Sequence, residues 1–289
     1  TEQFDPKFIV LIDSIKGGMQ LDELLQNNLL RQEVEGVYSF PMLQLDFCDK
    51  FLEEIDSYFA SGLPIRRPNS MNNYGLIVNE IGLQPSITYL QQEYILPLAK
   101  LLYPRQGQAF HAHHSFMVEY KAGHDLGLDM HTDDSDVTLN LCLGRHFTGA
   151  GLTFCGQMGQ ADHRKFASQY QHRRGHAVIH LGTKRHGADD IQTGERNNLI
   201  IWNHNLDYRA TDEYTHHDYH KEESAPDKRC LSYTHDRDYE VFQEVPKGRK
   251  RPEGGGWCPP KQFCYDQMEP IALRVAHRTA GAKGPNAEL

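Results

Sequence analysis

Apolar residues along this chain change their repeat near residue 109, and that change restricts the fold more than any other feature. Before it they recur every three or four positions, the spacing of helices that bury one face. Phe47, Phe51, Leu52, Ile55 and Phe59 mark such a helix over 46–60, with Asp46 placed to cap it. A second runs over 21–31, and a third starts at Pro85 and passes Ile87, Leu90, Ile95, Leu98 and Leu102, where Pro97 should introduce a kink. After residue 109 the apolar positions alternate. Phe116, Val118 and Tyr120 fall on one side of an extended segment, and Val137, Leu139, Leu141 and Leu143 stand opposite Asp136, Thr138, Asn140 and Cys142. A polar strip on a strand that is otherwise apolar implies a wet pocket. Short glycine-bounded runs at 149–154, 175–181 and 197–202 complete a pattern of sandwich or barrel rather than of alternating β-α units. The expectation is an all-β core with added helices (α+β): a helical region over 1–108, a β core over 109–205 and an irregular extension over 206–289.

His131 and Asp133, two apart in an extended segment, face one side and can present an imidazole and a carboxylate to a single point. One more histidine completes two neutral imidazoles and one carboxylate on adjacent octahedral corners with three positions open. That donor set suits a ferrous ion binding a cosubstrate and oxygen together, whereas zinc sites are usually closed or keep one opening. The chain has 17 histidines, so the H-x-D pair alone carries little. Of His172, His176, His180 and His186, the last precedes Arg196 by ten residues, the length of one short hairpin, and is taken as the third ligand. Ligand and arginine are then expected on adjacent strands. Arg196, Asn198, Ile200 and Trp202 share parity, and a buried arginine needs an anion: a protein carboxylate, or the distal carboxylate of a bound 2-oxoacid.

These elements in order (Tyr120 on a strand, His131-Thr132-Asp133, the 149–154 and 175–179 segments, His186, and Gly194-Glu195-Arg196 leading to Trp202) resemble the Fe(II)- and 2-oxoglutarate-dependent dioxygenases of the prolyl 4-hydroxylase-like branch. The stretches 67–75, 97–104, 147–149, 186–188 and 193–196 extend the similarity to the 2-oxoglutarate and iron-dependent oxygenase domain-containing protein 2 group; the tail after Trp202 lies outside it. The resemblance implies a double-stranded β-helix, a jelly-roll barrel, with Fe(II) on His131, Asp133 and His186. It further implies that 2-oxoglutarate chelates the metal while Arg196 pairs with its 5-carboxylate, that Tyr120 donates to the cosubstrate, and that Trp202 walls the cavity. Asn140 belongs to the same pocket. O2 is the co-reactant, ascorbate the reductant, and succinate and CO2 are released as a C–H bond is hydroxylated. A prolyl or lysyl side chain of a protein or peptide is the expected substrate; a small molecule or free amino acid, or a metal-binding barrel retired from catalysis, are the alternatives. Asn72, Asn73 and Tyr74, in the polar loop before the barrel, either build turns or close over its mouth, and Asn73 and Tyr74 are then expected to touch substrate.

A net charge of −9 with pI near 6.0 gives no electrostatic reason to expect nucleic acid or an anionic membrane as partner. Oligomeric state is not legible. The six cysteines are scattered without a C-x-x-C pair, which favours a reducing compartment, cytoplasmic or nuclear. The start at Thr1 rather than Met is read as processed or trimmed. His216, His217, His220, Cys230, Cys258 and Cys264 match the spacing of no closed zinc module.

Overall fold

The computed structural model describes residues 2–72, 74–215, 224–232 and 238. Helix α1 (Pro6–Lys16), which apolar spacing did not single out, starts where the Asp5 side chain accepts from the Lys7 amide and Pro6 fills the first turn. Helix α2 (Leu21–Gln26) is shorter than expected: Asn27 ends it, Asn28 adopts φ +53°, and the chain turns into strand β1 (Arg31–Val34) and β2 (Val37–Pro41). In α3 (Leu45–Ala60) the cap position falls on Gln44, while Asp46 sits in the first turn and pairs with Lys50 at 3.5 Å. After β3 (Gly75–Ile77) come α4 (Gln84–Leu90), a π-helical turn (Gln91–Ile95) and α5 (Leu96–Leu102). Pro97 lacks an amide hydrogen and crowds the carbonyl four residues back, so the expected break takes the form of that widened turn.

The barrel strands are β4 (Ala112–Lys121), β5 (Leu128–His131), β6 (Val137–Gly144), β7 (Phe147–Gly149), β8 (Leu152–Gln157), β9 (Ser168–Tyr170), β10 (His176–Leu181), β11 (Lys184–Ala188) and β12 (Ile191–His204). They form a large sheet ordered β1-β2-β10-β6-β12-β4-β3, with β7 also on β12, and a small sheet ordered β5-β11-β8-β9. Three strands of the first 108 residues thus join the large sheet, so this region is not purely helical.

Strand parity decides what each face meets. Leu139 and Leu141 on β6, Ala177 and Ile179 on β10, and Leu199 and Ile201 on β12 pack outward against Phe8, Leu11, Leu52, Ile55 and Leu98 of the helices. Phe116, Val118, Tyr120, Ile200 and Trp202 form a separate cluster, and line the pocket, on the inward face toward the small sheet. Among the described residues that follow the barrel, Cys230 and Asp238 are tied to the small sheet and its connections. Cys230 is disulfide-bonded to Cys155 of β8 across 75 residues, a pairing that the scattered cysteine spacing did not suggest. Asp238 bonds Arg185 at 2.6 Å and Arg164 at 2.9 Å, all three side chains fully buried. His216, His217, His220, Cys258 and Cys264 lie outside the described residues. Among the described residues, no helix is long and apolar enough to cross a membrane.

Candidate active site

His131 closes β5 and His186 sits directly opposite it on β11, the two residues being paired in register. The chain then turns so that Asp133, its amide bonded to the Gly182 carbonyl at 2.9 Å, brings its carboxylate between the two rings. Asp133 Oδ1 lies 3.5 Å from His131 Nε2, and Oδ2 lies 3.7 Å from His186 Nε2. One ligand atom from each residue lies within 4.8 Å of the others, all three residues being buried.

The hydrogen bonds around the triad prepare it for a cation. His131 Nδ1 meets the Asp129 carbonyl at 2.7 Å and His186 Nδ1 meets the Lys184 carbonyl at 2.9 Å. A carbonyl only accepts, so each Nδ1 carries the proton and each Nε2 turns a lone pair to the centre. Thr138 Oγ1, on the polar strip of β6, donates to Asp133 Oδ2 at 2.7 Å and holds the carboxylate in place. Burial pushes the His186 imidazole down to about 3, so the ring is neutral. Burial opposes ionisation of Asp133, but its closeness to the His186 and His131 rings outweighs it and holds the carboxyl well below the usual range. Two imidazoles and one carboxylate, with oriented second ring nitrogens, fit a ferrous ion.

Beside the triad the pocket offers donors without partners. Arg196 is 1% exposed, its Nη1 donates to the Ala150 carbonyl, and its Nε has no hydrogen-bond partner. Among the described residues no carboxylate forms an ion pair with it; Tyr120, its register partner on β4, stacks beneath the guanidinium at 4.8 Å. Trp202 Nε1 is likewise buried and unpartnered. Burial lowers the affinity of Arg196 for its proton and raises the Tyr120 phenol to about 12, so both remain donors near neutrality. A pocket of unmatched N–H and O–H groups calls for an acceptor-rich anion, and a dicarboxylate meets that need.

The structure brings His131, Asp133, His186, Arg196, Tyr120, Asn140 and Trp202 around one cavity. Asn140 accepts from Asn198, which is also within reach of the buried His172 ring. His180 packs its ring against His186 at 4.6 Å but belongs to no ligand cluster, and His176 is half-buried beyond the pocket. His186 and Arg196 do not occupy adjacent strands of one sheet: β11 lies in the small sheet and β12 in the large one. Tyr74 is 49% exposed and outside the pocket lining, and Asn73 lies outside the described residues. The loop residues that do reach the cavity are Asn69, Met71 and Asn72; Asn72 is 5% exposed, and its Nδ2 donates to the Tyr120 hydroxyl at 2.9 Å. An Asn-rich loop reads as turn chemistry, and nothing local announces a partner 48 positions away.

Two facing antiparallel sheets around a two-histidine, one-carboxylate cluster define the class, and the chain belongs to the 2-oxoglutarate- and iron-dependent oxygenases. Residues 1–108 match the model of the OGFOD2-like domain. Within the family the chain is similar to the mouse 2-oxoglutarate and iron-dependent oxygenase domain-containing protein 2, with 37% identity over 200 residues, 68% of this chain and 57% of the mouse protein. It therefore spans little more than half of that relative's length. Rat procollagen-lysine,2-oxoglutarate 5-dioxygenase 1 is 26% identical over 179 residues, 58% of this chain and 24% of the rat protein. A crystal structure of prolyl 4-hydroxylase from Phytophthora capsici shares the fold, with TM-score 0.51 at 12% identity, covering 74% of this chain and 70% of that one.

Proposed function

We propose that this protein is an Fe(II)- and 2-oxoglutarate-dependent hydroxylase acting on a prolyl or lysyl side chain of a protein or peptide. The observation that carries the oxygenase reading is the buried triad beside a buried arginine that no carboxylate pairs with among the described residues. His131, Asp133 and His186 would hold the ferrous ion, which when bound supplies the chemistry that couples oxidative decarboxylation of 2-oxoglutarate by O2 to oxidation of a C–H bond.

The chain's own residues bind, orient and exclude. Arg196 and Tyr120 receive the distal carboxylate of the cosubstrate, the guanidinium as a planar fork and the phenol as a single donor. Thr138 fixes the Asp133 carboxylate, and the two backbone carbonyls fix the imidazoles, so the open face of the triad has one orientation. Phe116, Val118, Ile200 and Trp202 make the wall apolar and keep water from the reacting atoms. No side chain is required as a general base. The peptide reading is supported by the name of the rat relative and by the pocket lip, where Asn69 and Met71 face the cavity from a loop.

The test is incubation of the protein with Fe(II), ascorbate, 2-oxoglutarate and a peptide library under air, with succinate quantified and products weighed by mass spectrometry. A gain of one oxygen atom on a proline or lysine, absent in His131→Ala, is the expected result. Succinate formed only with amino acids or other small molecules would overturn the peptide assignment, and none under any condition would overturn the activity.

A further inference from the structure

The polarity of the Asn72–Tyr120 hydrogen bond can be worked out from the loop itself. An amide's oxygen and nitrogen are told apart by a partner of known character, and one stands two links away. Asn69 Oδ1 receives the backbone amides of Met71 and Asn72, each at 2.8 Å, and a backbone N–H can only donate. The Asn69 nitrogen is therefore on the other side, where it donates to Asn72 Oδ1 at 3.0 Å. Asn72 must then offer its own nitrogen to Tyr120, at 2.9 Å. The tyrosine oxygen accepts, and its proton has to leave in another direction. Among the described residues no protein group takes that proton, and the space beside it is the cavity in front of Arg196.

We propose that Asn69 and Asn72 are positioning residues that fix the direction of the Tyr120 O–H bond, aiming its proton at an anionic oxygen of the cosubstrate beside Arg196. This rests on the reading that Tyr120 and Arg196 receive the cosubstrate. The loop is built to hold the direction. Arg67 Nε donates to the Asn72 carbonyl at 3.1 Å, and His114 Nε2 bonds the Pro68 carbonyl at 2.8 Å. Gly75, at φ +127°, closes the loop onto β4 so tightly that a Cβ would overlap the Met117 carbonyl. Asn69, Met71 and Asn72 also line the cavity, so a substrate pressing on this lip acts on the same bond that orders the cosubstrate.

Asn72→Asp keeps the shape but turns the donor into an acceptor, so Tyr120 would give its proton to residue 72 instead of to the cavity. The readout is the dissociation constant of 2-oxoglutarate, by calorimetry under nitrogen on the whole protein loaded with Mn(II), so that nothing turns over. Tyr120→Phe and Asn72→Asp should each weaken binding roughly 10- to 100-fold, the range of one hydrogen bond to a charged acceptor. Mn(II) binding should be unchanged, and the double variant should bind within about twofold of the weaker single variant. Multiplying losses in the double variant would reduce the Asn72→Asp effect to added negative charge and overturn the proposal. Wild-type affinity in Asn72→Asp with weakened Tyr120→Phe would overturn it too, leaving the cosubstrate reading intact. Wild-type affinity in Tyr120→Phe would remove that reading and the proposal together. If Asn72→Asp loses Mn(II) binding, Asn72→Ala replaces it: a several-fold loss that disappears when combined with Tyr120→Phe is expected, and its persistence there overturns the proposal.

Discussion

Replacing Arg196 with Met should make the protein no less stable while removing most of its response to 2-oxoglutarate. The guanidinium is 1% exposed, and its protein contacts are the Ala150 carbonyl and the face of Tyr120. A charge so buried carries a desolvation penalty of several kcal/mol, against which one charge-assisted hydrogen bond offsets about 1.5–3 kcal/mol and the cation–π contact about 1–2 kcal/mol. An apolar side chain of similar length removes both sides of that balance, so the ligand-free variant should be between unchanged and about 2 kcal/mol more stable. With cosubstrate the sign reverses. A desolvated guanidinium–carboxylate pair is worth about 2–5 kcal/mol, a loss of roughly 30-fold to several thousand-fold in affinity. At a 2-oxoglutarate concentration near 100 times the wild-type dissociation constant, the wild-type protein gains about 2.7 kcal/mol, or roughly 5–10 °C in melting temperature for a chain of this size. A variant weakened 100-fold gains about 0.4 kcal/mol at the same concentration, little more than 1 °C. Differential scanning calorimetry with Mn(II) present, with and without 2-oxoglutarate, reads both quantities. A ligand-free variant destabilised by 3 kcal/mol or more that keeps the full ligand shift would refute the reasoning, for Arg196 would then be a structural cation answered by the protein.

His131→Ala should abolish tight Mn(II) binding and with it all succinate release, since two ligands cannot replace the triad; isothermal titration with the metal checks the first, and retained tight binding would sink the ligand assignment. Asp238→Ala removes the carboxylate shared by two fully buried arginines and should lower stability by about 3–5 kcal/mol, roughly 10 °C or more in melting temperature. A change under about 2 °C would show that the Asp238 ion pairs contribute little. Burial, reinforced by Arg196, holds the folded His172 imidazole neutral well below its ordinary range. The unfolded histidine takes up a proton as pH falls through about 6.5 and the folded one does not, so His172 removes up to about 1.4 kcal/mol of stability per pH unit below that value. His172→Gln should therefore flatten the decline in melting temperature between about pH 6.5 and 5, and an unchanged slope would count against the assignment.

Where a residue's role followed from backbone period, the chain itself announced it. Thr138 and Asn140 opposite Leu139 and Leu141, and Arg196, Ile200 and Trp202 opposite Leu199 and Ile201, were separable because side chains of a strand alternate whatever it packs against. Strand β2 escaped notice because Val37 to Phe40 are all buried, so no polar face marked a period, and its partner β1 is a partly exposed polar edge. The contacts of Asn72, Cys230 and Asp238 were illegible for a different reason: each reaches a residue 48 to 75 positions away, and no local pattern encodes such a meeting.

The ten-residue step from His186 to Arg196 shows the division most plainly. Sequence alone determined that a candidate ligand histidine and a candidate anion-binding arginine stand a short connection apart, each on an extended segment with a chosen face. It did not determine whether that connection joins neighbours in one sheet or crosses from one sheet to the other, since the same length serves both. Tertiary structure decided for the crossing, placing His186 in the small sheet and Arg196 in the large one, around one cavity. The physical reason is that period belongs to the backbone of each strand, whereas sheet membership is settled by which faces the whole chain can bury together.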